Sequence, residues 1–143
     1  MANVLRAVAG AHCVPMDFVL LPADSELALL RQQGSGPDGV LWLHFASAHL
    51  QCMEPAEDGH APGLVLRLDC ARVQGSPGPG RLSGGRLWWQ QRWHAAWAVP
   101  CELRGPLRLE LDCAHGDALQ VEAGGLSAWF DGGPPRYRPA LAC

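Results

Sequence analysis

A chain of 143 residues is one domain's worth, long enough to bury a substantial core without disulfide or metal staples. Apolar residues make up 48% and charged residues 17%, which argues against disorder, and the formal charge of −3 lacks the basic footprint of a nucleic-acid binder. No apolar run approaches the ~20 residues of a bilayer span, and the opening MANVLRAVAGAHC is too interrupted for an export signal, so a cytoplasmic protein without membrane association is expected.

Residues 1–15 show no period and are expected to be irregular. A short strand follows from Asp17 to Leu21, stopped by Pro22. Asp24-Ser25 before ELALLRQQ, with Gly34 after it, has the cap and stop signals of a short helix near 25–33, although a hairpin strand is the alternative. Val40 to Met53 alternates as a strand whose phase flips near Ala46-Ser47, because Leu41, Leu43 and Phe45 share one parity while Ala48, Leu50 and Cys52 share the other. A β-bulge or a bend between sheets produces such a slip. Residues 54–63 read as a polar loop.

Leu64, Leu66, Leu68 and Cys70 define a further strand, closed by the turn Ser76-Pro-Gly-Pro-Gly80. Its core LRLDCA (66–71) matches LELDCA (109–114), as either a duplicated unit or two strands obeying one pattern. Arg81 to Gln90 and Ala95 to Leu103 are two more strands joined by a polar bend at 91–94, with Trp89, Trp97 and Trp93 assigned to the core. The clearest signal lies between Gly105 and Gly125. Leu107, Leu109, Leu111 and Cys113 alternate with Arg108, Glu110 and Asp112, His115-Gly116-Asp117 supplies turn chemistry, and Leu119, Val121 and Ala123 resume the alternation, which is a β-hairpin. Leu126 to Phe130 makes a final strand, and 131–143 is expected to be irregular, with Tyr137 and Leu141 docking on the sheet.

With 17 Gly and 12 Pro, long helices are disfavoured. The chain is expected to form a single all-β domain over 1–143, an antiparallel β-sandwich or barrel of eight to nine short strands. Cys70, Cys101 and Cys113 fall in phase with core positions and are expected to be buried, reduced thiols.

All 11 basic residues are Arg, which points to a G+C-rich, bacterial gene. The pattern resembles small bacterial β-proteins, some of which act as immunity or adaptor proteins. No HxH or CxxC pair presents metal ligands, no nucleophile elbow is present, and Glu110 with Asp112 reads as the charged outer face of a sheet. Neither an enzyme nor a metal or other cofactor is therefore expected.

Six Trp stand against one Tyr. Trp42 and His44, Trp88 and Trp129 lie on parities opposite their apolar neighbours and form the candidate binding set. They fit a contact with a second copy in a homodimer, or with another protein. The alternative is a carbohydrate-binding module that stacks sugars on the exposed tryptophans.

Overall fold

The structure is a computed structural model that describes residues 18–53 and 56–139. Eleven strands occur among the described residues: β1 (Phe18–Gln33), β2 (Val40–Met53), β3 (Ala56–Ala61), β4 (Leu64–Asp69), β5 (Arg72–Gln74), β6 (Gly80–Trp89), β7 (Arg92–His94), β8 (Trp97–Val99), β9 (Cys101–Cys113), β10 (Leu119–Phe130) and β11 (Arg138–Pro139). Pairing runs β1–β2–β4–β10–β9–β6 and returns to β1, which closes a six-stranded antiparallel barrel. The other strands extend it: β3 and β11 from β2, β8 from β1, β5 on β10, and β7 on β6. No helix among the described residues is long and apolar enough to cross a membrane.

The alternation turns one face of every barrel strand inward. Leu41, Leu43, Leu64, Leu66, Leu68, Leu87, Leu109, Leu111, Leu119 and Val121 all point inward and are essentially inaccessible to solvent. Barrel diameter grows with strand number and an eight-stranded barrel is already filled by its side chains, so in this narrower one these residues form one packed core. At one end, where β3 and β8 splay away, Phe18 packs against Phe130 at 6.3 Å and against Tyr137 at 5.1 Å between ring centroids. Tyr137 Oη donates to the Glu57 carbonyl at 3.2 Å, so Tyr137 does dock as expected. Leu141 lies outside the described residues, as do Cys13 and Cys143.

The helix near 25–33 does not form. β1 is a strand to Gln33, pairing Leu30 with Leu43 and Gln33 with Val40. Leu27 is buried while Ala28 and Leu29 face out, so the ladder offered by β2 overrides the cap signals. The apparent N-cap is used differently. Residues 22–25 leave the ladder as a corner, with Asp24 at φ 69° and the register shifting between Leu21 and Glu26. Ser25 is fully buried there, where its hydroxyl donates to the Leu21 carbonyl (3.0 Å) and accepts from the His49 N–H (2.8 Å). This replaces the ladder bonds that the corner removes. Pro22 folds against Gly85, where a Cβ would stand 2.9 Å from the proline ring and 2.8 Å from Leu111.

The phase flip in β2 is present, with Leu41, Leu43 and Phe45 buried before it and Ala48 and Leu50 after it. Ser47 pairs with Glu26, so the flip sits opposite the β1 corner. Residues 56–61, expected as loop, form β3, because the outer half of β2 has no other partner on that side. The tail, expected to be irregular, contributes β11, which pairs with His60 and Gly59. Leu126–Phe130 is continuous with the preceding strand in β10, interrupted by a bulge between Ala123 and Gly125.

The matched hexapeptides diverge at their ends. Cys113 lies within β9 and packs on the core, whereas Cys70 falls just past β4 at φ 55° and is exposed. Cys70 is therefore not a core thiol, since the left-handed turn into β5 swings it off the strand's inward parity. Cys101 and Cys113 are free thiols partly buried against the core. Burial pushes the Cys101 thiol from its ordinary 9.0 up to about 12.

Candidate functional site

The groove of greatest interest is an open concavity of about 740 Å³ on the outer wall, within the ~300–1,000 Å³ range of small-molecule pockets. It crosses the strands, and it exists because the sheet bends there. Gly105, at φ 99°, kinks β9 before Pro106, and the β10 bulge at Gly124 lies next to it.

Register places one lateral row of side chains along this groove. Trp93 on β7 pairs with Trp88 on β6, Trp88 with Arg108 on β9, Arg108 with Glu122 on β10, and Glu122 with Arg72 on β5. All five line the groove. Directly paired residues have Cβ atoms ~5 Å apart, so the two tryptophans stand next to each other at one end. Arg108 donates to Glu122 at 3.0 Å. Arg86 lies 3.8 Å over the Trp93 ring and donates to Glu110 at 2.9 Å. Arg86 is not itself among the residues that line the groove. Trp93 is 37% exposed and so is not the core residue its sequence position implies. Trp89 and Trp97 do pack with the core, and the Trp89 indole N–H donates to the Arg104 carbonyl at 3.1 Å.

The candidate tryptophans divide between two places. Trp88 is in the groove. Trp42, His44 and Trp129 share another part of the wall, where Leu29, His44, Val65 and Trp129 follow one another across β1, β2, β4 and β10. Val65 points outward yet is only 2% exposed, so its neighbours cover it. Leu29 at 51% and Trp129 at 38% remain open to solvent. Trp42 is half-buried beneath two guanidinium groups, with Arg31 4.0 Å and Arg67 5.9 Å from its ring centroid. A single patch of Trp42, Trp88 and Trp129 is thus not what the barrel presents.

A third cluster sits at the β1 corner. His49 and His60, paired across β2 and β3, stack at 5.0 Å, and His49 bonds the Ala23 carbonyl through Nδ1 (2.9 Å) while its Nε2 lies 3.5 Å from Asp58. Arg81 donates to Asp24 and holds that carboxyl below its ordinary value. Among the described residues no three His, Cys, Asp or Glu side chains converge as a metal ion requires.

Sequence reasoning does not single out Trp93, Arg72 or Arg86 as site residues. A signal for the arginines exists, since Arg86 shares its parity with Trp88 and Arg72 lies in the segment after Cys70. Trp93 is hidden, because its face depends on the turn between β6 and β7.

Set against protein-family models, curated proteins and solved structures, the chain matches none.

Proposed function

We propose that the protein is a non-enzymatic binding module that takes a saccharide in the groove walled by Trp88 and Trp93. The observation that carries this reading is the lateral row Trp93, Trp88, Arg108, Glu122 and Arg72, which joins an aromatic platform to alternating donors and acceptors. A pyranose presents a face of polarised C–H bonds that suits the negative face of an indole, and its hydroxyls need paired polar partners. Among the described residues Glu122 is the only carboxylate lining the groove, and it is held by Arg108, an arrangement suited to orienting hydroxyls rather than to transferring protons.

Intrinsic tryptophan fluorescence against a glycan panel tests the reading. One sugar class is expected to quench or blue-shift the emission, and Trp93→Ala, checked for fold by its far-ultraviolet spectrum, is expected to diminish the response. A response unchanged by Trp93→Ala would place the sugar elsewhere.

A protein partner is the second reading, in the immunity-like or adaptor sense or as a homodimer. It is favoured by Leu29 and Trp129, large apolar side chains exposed at the two ends of the row Leu29, His44, Val65 and Trp129. Light scattering coupled to gel filtration is then expected to give twice the chain mass, reduced to one chain by Trp129→Ser. A single-chain mass for the wild type would remove the homodimer.

A further inference from the structure

Resting on the saccharide reading, we propose that the ligand is an acidic oligosaccharide that crosses the sheet with one ring against Trp88 and Trp93 and a carboxylate or sulfate on Arg72. Three observations converge on this class.

The first is charge. Arg72 and Arg108 line the groove together with Glu122, and Arg108 is already paired with that glutamate. Among the described residues Arg67, Arg81, Arg86, Arg104 and Arg108 each have a carboxylate within ion-pair distance; Arg72, like Arg31, Arg92, Arg136 and Arg138, has none, and of these five it alone lines the groove. In a chain of net charge −3, the groove therefore holds an unmatched cation. A guanidinium presents a planar fork of donors that matches a carboxylate or sulfate bidentately.

The second is length. From Trp88 to Arg72 the row crosses from β6 over β9 and β10 to β5, three strand spacings of ~4.8 Å, or roughly 14 Å along the sheet. A single sugar ring does not reach from the indoles to Arg72. A chain of several rings does.

The third is preorganisation. Arg86 stacks on the Trp93 ring, and the Arg108–Glu122 bond fixes the middle of the row, so Trp93 and the central donors are held before a ligand arrives. Arg72 sits at the far end on an edge strand, where among the described residues an added negative charge meets no groove-lining carboxylate except the already neutralised Glu122.

The test is calorimetric titration of the full chain with uronate, sialylated and sulfated oligosaccharides, each beside its neutral parent, and with wild type, Arg72→Gln and Trp93→Ala checked for fold by circular dichroism. One acidic series is expected to bind at least about tenfold more tightly than its neutral parent, with the difference shrinking as salt rises. Arg72→Gln is expected to erase that preference, so that on this variant the acidic oligomer binds no more tightly than its neutral parent, and Trp93→Ala to weaken both. Equal affinity for acidic and neutral oligomers, or a preference that survives Arg72→Gln, overturns the acidic assignment and leaves the saccharide reading standing. Absence of binding by every acidic and neutral member to the folded wild type overturns both.

Discussion

At the scale of single residues, the cysteines show how one sequence rule gives two outcomes. Cys70 and Cys113 occupy equivalent places in LRLDCA and LELDCA, yet the first ends a strand in a left-handed turn and the second continues a strand. Parity assigns a face only while the strand lasts. Brief alkylation followed by peptide mapping is expected to find Cys70 modified well ahead of Cys101, whose thiol burial keeps protonated. The same burial has a sign in the stability curve. Cys101 titrates near 9.0 when unfolded and near 12 when folded, so above about 9 the folded chain holds a proton that the unfolded chain gives up. The contribution is complete below the unfolded value and is lost as pH rises toward the folded one. Denaturation midpoints are expected to fall with pH through that alkaline window in the wild type and to fall less steeply in Cys101→Ala. Equal slopes in the two proteins would remove Cys101 as the cause.

At the scale of elements, strands are legible wherever one face is wet and one dry, and the hairpin of β9 and β10 is the clearest case. The site is less legible because it depends on turns. Gln90 and Gln91 both adopt positive φ, 54° and 69°, which is the two-residue hairpin turn that normally recruits Asn-Gly. With Gln in both places the sequence carries no such signal and reads as a loose bend over 91–94, which leaves the face of Trp93 unassigned. Once the turn is known, Trp93 falls opposite Trp88 and the aromatic end of the groove follows. The helix reading of 25–33 fails for a related reason. A cap motif is local, whereas the Ser25 hydroxyl serves a corner whose partner, the His49 N–H, is distant in sequence. Gln90 and Gln91 carry a conformational cost that the turn's usual residues avoid. The double substitution Q90N/Q91G is expected to raise stability by about 0.5–2 kcal/mol in denaturant titration without altering saccharide affinity. A loss of stability would mean that the glutamine side chains support the hairpin.

At the scale of the whole molecule, the sequence leaves sandwich and barrel undecided, because alternation within strands says which side is dry and nothing about whether the first and last strands meet. Closure is decided at one seam. β1 and β6 pair only through Glu26 with Arg81 and Leu27 with Gly80, whereas β9 and β10 pair along most of their length. The contact between Arg81 and Asp24 reinforces that seam from the outside. Both side chains are more than half exposed, so solvent screens the pair and it adds little to global stability. Its effect on local opening is a separate matter, since a short ladder opens by breaking few bonds. Hydrogen exchange read by mass spectrometry is expected to show the segments around Glu26–Leu27 and Gly80–Leu82 exchanging before Leu107–Leu111 and Leu119–Ala123. Arg81→Ala is expected to speed exchange at the seam alone. Acid should do the same, because Arg81 holds the Asp24 carboxyl below its ordinary 3.8: the contribution is present above that value and disappears as pH falls through the depressed one. Uniform protection around the barrel, unchanged by Arg81→Ala, would show that closure rests on the shared leucine core and that the seam is no weaker than the rest of the wall.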